Sequence, residues 1–174
     1  MNVEEALIAR FQEPKFTEWH RHFVTHPEDI PALVELALGT KKAPLPAHAS
    51  WLLIHVAKHD WTLLAAFEHA FIDCFLQSKH QSILRNMLVC LLEFPLTDYR
   101  ESDFLDALIL HVKSEENKVA LRVYGLYKLV AFVERYPEIK QEVDAVIELI
   151  QEHPMSPALR VGIRNFEQLC RKGN

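Results

Sequence analysis

The chain has 174 residues, of which 49% are apolar and 25% charged, with a formal net charge of −5. That balance supports a packed core, argues against a disordered chain, fits one domain over residues 1–174, and sits badly with phosphate-backbone binding as the main task. No apolar run approaches the ~18–20 residues of a membrane span, and MNVEEALIARF carries acids where a signal peptide carries bases. The sequence therefore predicts a cytoplasmic protein.

With only four glycines and no alternating Val/Ile/Thr run, the expectation is an all-α fold. Residues 2–12, lined by Val3, Leu7 and Phe11, and 15–26, lined by Phe16, Trp19 and Phe23, read as two helices separated by Pro14. They form a helical cap over residues 1–27. His22 and His26 share a helical face in WHRHFVTH, yet no carboxylate or cysteine completes a set of metal ligands, so they read as surface histidines. Pro27-Glu28-Asp29 suits a helix start, and Gly39 ends the helix IPALVELAL. The segment TKKAPLP, residues 40–46, reads as an exposed connector. A second helix over roughly 48–58 carries Trp51, Leu52, Ile54 and Val56, with His55 and His59 in its last turn and no glutamate after His55 to make a zinc-protease motif.

The stretch FEHAFIDCFLQSKHQSILRNMLVCLL, residues 67–92, is the clearest unit. Phe67, Phe71, Phe75 and Leu76 line one face of its first helix. Leu84, Met87, Leu88, Leu91 and Leu92 do so in the second, where Ile83, Val89 and Cys90 widen the stripe until the helix must be covered on most sides. A polar loop after Pro95 leads to a third unit, whose long second helix, 118–135, stops at Pro137. In the fourth, Ser156-Pro157 reads as N-cap and first helical residue. Its last helix keeps a narrow stripe of Leu159, Ile163, Phe166 and Cys170, as suits a C-terminal cap. The three cysteines, Cys74, Cys90 and Cys170, lie on apolar faces without CxxC spacing and read as reduced core residues.

These units repeat. First helices align at Ile30, Phe67, Phe104 and Val143, with spacings of 37, 37 and 39 residues. Second helices align at Ala47-His48, Leu84-Arg85, Leu121-Arg122 and Leu159-Arg160, spaced 37, 37 and 38. Two registers with one period predict stacked two-helix repeats over 28–60, 61–100, 101–137 and 138–171.

The pattern resembles HEAT-type repeats of the armadillo-like superfamily, in a small, bacterial-type form. Their second helix typically opens with an apolar residue followed by Arg; Ala47-His48 departs from this. The resemblance covers roughly residues 28–171 and implies a right-handed α-α superhelix, or solenoid, of about four units with helical caps. It also implies a non-enzymatic module or scaffold that presents a helical surface to a protein or peptide partner.

His48, Arg85, Arg122 and Arg160 occupy one slot in four stacked units and are the candidate partner-binding residues. Similar proteins often use this arginine to fix the stack through a carboxylate or carbonyl; the alternative is a basic track facing an acidic partner. A nucleic-acid-binding HEAT-like protein, with the fold of the alkylpurine DNA glycosylases, is the second reading. Against it, residues 98–153 hold twelve acids and seven bases. Only the segment from Ser156, with Arg160, Arg164, Arg171 and Lys172 against Glu167, is basic.

No catalytic residue is expected. GxSxG, HExxH and glycine-rich phosphate loops are missing. The His-Glu dipeptides through which deoxyhypusine hydroxylases hold iron are missing too, since Glu68-His69 and Glu152-His153 run in reverse. The chain also lacks the length and the Ser-rich loop of an adenylosuccinate lyase. Neither cofactor nor metal is expected.

Overall fold

The computed structural model describes residues 1–11, 13 and 15–172. Among the described residues every regular element is helical. The chain divides into two compact units, Met1–Phe94 and Pro95–Asn174.

The first unit begins with α1 (Val3–Arg10), capped by the Asn2 side chain, which accepts from the Glu5 amide at 3.2 Å. A 3-10 turn (Phe16–Trp19) then leads into α2 (His20–Thr25). Pro14, expected between these helices, lies outside the described residues. The stripe Phe16, Trp19 and Phe23 is buried as expected, and so are Val3 and Leu7, but Phe11 lies just beyond α1 and stays 39% exposed.

After a 3-10 turn at Pro27–Asp29 come α3 (Ile30–Leu38) and α4 (Leu45–Asp60). The connector before α4 is shorter than the sequence suggests. Pro46 stands in the first turn of α4, where its missing N–H costs nothing, rather than in the loop.

A second difference concerns Phe67. It closes a 3-10 segment, Trp61–Phe67, so α5 (Glu68–Gln77) starts one residue later and buries Phe71, Ile72 and Phe75. The tighter turn shifts the phase of the apolar face and brings in Ile72. α6 (Gln81–Leu92) buries every residue from Asn86 to Leu91, which agrees with its wide stripe. Its cover comes from α4 on one side and α5 on the other. First helices adjoin first helices (α1 with α3, α3 with α5) and second helices adjoin second helices (α2 with α4, α4 with α6). The N-terminal pair thus stacks in the same order as the pairs that follow it.

The second unit holds α7 (Glu101–Lys113), α8 (Val119–Arg135), α9 (Ile139–Gln151) and α10 (Pro157–Lys172). α8 is its centre, packed against α7, α9 and α10. Its apolar residues Leu121, Leu126, Leu129, Phe132 and Val133 are buried. At its end Arg135 bonds to Asp98 at 2.9 Å and Glu101 at 2.8 Å, and the Tyr136 hydroxyl donates to Glu101 at 2.9 Å, tying the loop before α7 to the α8 terminus. Ser156 caps α10 by accepting from the Leu159 amide at 3.2 Å, as its place before Pro157 predicts.

Cys90 and Cys170 are buried, Cys74 is half-buried, and none is in a disulfide. Burial pushes the Cys74 thiol up to about 11 and raises those of Cys90 and Cys170 as well, which is the inert, structural condition. No helix among the described residues is long and apolar enough to cross a membrane.

Candidate functional site

The recurring base was the expected site, and each of its members has its own surroundings. His48, in the first turn of α4, is half-buried beneath Phe11, whose ring stacks on it with centroids 3.4 Å apart and planes 14° from parallel. Loss of solvation lowers its pKa from the ordinary 6.5, so the neutral ring is favoured. Around it lie Phe16, at 6.3 Å, and then Trp51, 5.9 Å from Phe16. Trp51 is one turn further along α4 and 38% exposed.

Arg85, in the first turns of α6, is half-buried and turned onto its neighbour. Its Nε and Nη2 donate to Asn86 Oδ1 at 3.1 and 2.7 Å. Asn86, only 1% exposed, spends its amide group on α4: Nδ2 donates to Ser50 Oγ at 2.9 Å and to Ala47 O at 3.4 Å. Ser50 in turn donates to Ala47 O at 3.0 Å. A buried polar chain of Arg85, Asn86, Ser50 and the α4 backbone therefore fixes α6 against α4. The sequence reading missed Asn86 and Ser50; the available signal was a polar residue directly after the slot, inside an otherwise apolar run. We expect Asn86→Leu to fill the same space yet cost about 2 kcal/mol, since Arg85 loses its acceptor and Ser50 its donor. Urea denaturation measures this, and an unchanged midpoint would show that the chain contributes nothing.

Arg122, in the first turn of α8, is 7% exposed. Its Nε donates to Val112 O at 2.9 Å, satisfying one of the carbonyls left free at the end of α7. Its Nη2 is buried without a hydrogen-bond partner. Burial lowers the guanidinium pKa, and nearby Glu115 acts the other way. Arg160, in α10, is exposed and donates from Nη2 to Met155 O at 3.1 Å. The two slot arginines of the second unit thus bond backbone carbonyls at or beside helix ends.

The histidines beside the slot form two groups. His22 and His26 stack at 4.4 Å, and His22 Nε2 lies 2.7 Å from Asp29 Oδ2. His20 lies 5.7 Å from His55 and 5.9 Å from His59, ring to ring, bringing α2 against the last turns of α4. Among the described residues no group of three or more His, Cys, Asp or Glu side chains could hold a metal ion.

Three half-buried histidines, His48, His55 and His111, make stability depend on pH. Burial lowers the pKa values of His48, His55 and His111 from 6.5, with the His20 and Lys58 charges adding to the effect at His55. A lowered folded-state value means that the unfolded chain binds protons first, so their stabilisation is complete above 6.5 and is lost as pH falls through the folded-state values. Melting temperature is therefore expected to decline from about pH 7.5 to about pH 5, and His55→Gln to decline less steeply. A flat profile over that range would contradict this.

Helix pairs stacked layer on layer within each unit define a helical-repeat protein. A family model described as HEAT repeat domain matches residues 3–169, and the chain belongs to that family. The match includes α1 and α2, in keeping with their stacking order. Neither a curated protein nor a solved structure matches the chain.

Proposed function

We propose that the protein is a non-enzymatic binding module whose partner is a protein or peptide. The observation that carries this reading is the surface around His48. There Phe11 and Trp51 stay 39% and 38% exposed although ring-on-ring packing surrounds them. Arg10 lies over the Trp19 ring at 5.5 Å, and Arg85 follows on the adjoining helix. Exposed aromatic rings, Trp above all, are enriched among the residues that dominate protein interfaces, because such side chains bury much area at little entropic cost. Membership of a HEAT repeat family supports the same reading, since stacked helical repeats offer extended binding surfaces.

A nucleic-acid partner would need several bases exposed together. The slot does not supply that row: Arg122 is 7% exposed and bonded to Val112, and Arg85 is turned onto Asn86.

Affinity capture from lysate of the source cell, comparing the wild type with Trp51→Ser, tests the reading. A protein retained by the wild type and lost by a variant with an unchanged melting temperature is the expected result. Equal retention by both would remove Trp51 from the interface. Retention of nuclease-sensitive material in place of a protein would overturn the reading in favour of nucleic acid.

A further inference from the structure

The boundary between α2 and α4 gathers three imidazoles. His20 opens α2, while His55 and His59 lie one turn apart near the end of α4. The His20 ring stands 5.7 Å from His55 and 5.9 Å from His59, centroid to centroid. Neutral rings pack at such distances without penalty, whereas imidazolium ions repel one another. Burial, then the charges of His20 and Lys58, hold the His55 pKa below 6.5.

A separate observation is the His55 Nε2 atom, which is buried and has no hydrogen-bond partner among the described residues. A neutral imidazole can leave one nitrogen bare, but an imidazolium carries an N–H on both. Protonation of His55 therefore places a buried donor where no acceptor stands. Parting α2 from α4 hydrates that donor and relieves the repulsion in one movement.

Neighbouring elements do not offset the charge. α2, α6 and the 3-10 segment Trp61–Phe67 all pack on α4 and contain no carboxylate. Glu18 of the Phe16–Trp19 turn lies between Lys15 and Arg21, at 3.5 and 3.9 Å. On α1, Glu4 is paired with Lys41 and Glu5 is exposed; on α3, Glu35 is exposed. Asp60, which ends α4 and interacts with His59, is bonded by the Thr62 amide and hydroxyl at 3.0 and 2.6 Å. The bases Arg10 and Arg85 are directed to Trp19 and Asn86, and His22 to Asp29.

We propose that α2 and α4 form an acid-sensitive latch: below about pH 6 the cluster of His20, His55 and His59 loads with protons, and α2 lifts from α4 while the stacked helices behind it stay folded. The packed arrangement favours neutral rings, so the opened one takes up protons. Closure is complete above 6.5 and weakens as pH falls. α2 is the element that moves because it is six residues long and belongs to the end of the stack, where local opening costs least. The Phe16–Trp19 turn runs straight into α2, and the His55 ring meets Trp51 at 5.9 Å. Opening therefore takes apart the aromatic surface around His48 and releases whatever is bound there. That consequence rests on the binding role proposed above; the latch itself does not.

Hydrogen–deuterium exchange on the free full chain at about pH 7.5 and about pH 5.5, corrected for intrinsic rates, tests the latch. Amides of residues 20–25 are expected to exchange about tenfold faster at the lower pH, relative to those of α6. His20→Gln removes the α2 member of the cluster and is expected to reduce that ratio to about threefold or less. His59→Gln, at an exposed position, keeps the fold and is expected to reduce it as well, and it decides the matter should His20→Gln fail to fold. His111→Gln, in the second unit, is expected to leave the ratio unchanged. An acid response shared equally by α6 overturns the latch, and so does a response that either cluster variant retains in full or that His111→Gln abolishes. No partner is present in this experiment, so its failure leaves the binding role standing, and a failed capture leaves the latch standing.

Discussion

Phe132→Ala is expected to lower the free energy of unfolding by about 4 kcal/mol, the largest loss from any single truncation considered. Phe132 is 0% exposed and sits in α8, the helix against which α7, α9 and α10 all pack. Its ring meets the Phe104 ring of α7 at 6.0 Å and 58°, a tilted contact that adds to the area buried. Truncation removes most of a large side chain from a fully buried site in the helix against which the others pack, and such a site cannot close without moving a helix. The cost is therefore the lost transfer free energy plus a cavity. For a chain of this size the melting temperature should fall by roughly 10 °C. Urea denaturation with an unchanged slope would confirm the mechanism as stability. A loss below about 1 kcal/mol would mean that α8 is not the centre of its unit.

Gly125→Leu is expected to cost about 3 kcal/mol for the opposite reason, overpacking. Gly125 is buried in the middle of α8, and a Cβ there would stand 2.7 Å from Val112 Cγ2 of α7. Val112 is itself 0% exposed and β-branched, so it has little freedom to turn aside. Alanine gains about 1 kcal/mol of helix propensity at this position and meets the same contact, so Gly125→Ala should lose much less than Gly125→Leu. Combining Gly125→Ala with Val112→Ala should cost less than the two single changes added together, because the second relieves the clash of the first. Strict additivity would contradict the close approach. Gly162 plays the same part on the other side of α8, where a Cβ would meet Val123 Cγ2 at 2.8 Å. Two glycines thus set the distance of α8 from α7 and from α10.

Those glycines show where the sequence was legible and where it was not. Helix existence was easy to read, because apolar residues at helical spacing report one buried face whatever covers it. The start of α10 was readable too, since Ser156-Pro157 is a local signal whose physics is complete within a few residues. Gly125 and Gly162 were visible as interruptions inside helical patterns, but their partners, Val112 and Val123, lie on other helices. Asn86 is similar: its neighbour Arg85 stood out through the repeat, while its bonds to Ser50 and Ala47 need a distance of 36 or more residues to be closed. Trp51 occupies an apolar helical position and yet remains 38% exposed, because the short turn at Phe16–Trp19 covers one side of it and leaves the other open. Periodicity reports which face is apolar; it does not report whether a neighbouring element is long enough to cover it.

The slot bases divide along the same line. The repeat placed His48, Arg85, Arg122 and Arg160 in equivalent positions, and the backbone honours that equivalence. Their side chains do not, because each takes the acceptor its own surroundings provide: Asn86 for Arg85, Val112 O for Arg122, Met155 O for Arg160. His48 has a ring in place of a fork and stacks with Phe11.

The measurement that tests the central claim most directly is hydrogen–deuterium exchange on the full chain, free and with the captured partner bound. A peptide or protein seated over Phe11, His48 and Trp51 is predicted to slow exchange in the first turns of α4 and in the Phe16–Trp19 turn. It should leave the interior of α8 unchanged. Protection confined to other helices, or none at all, would contradict the assignment of this face as the binding surface.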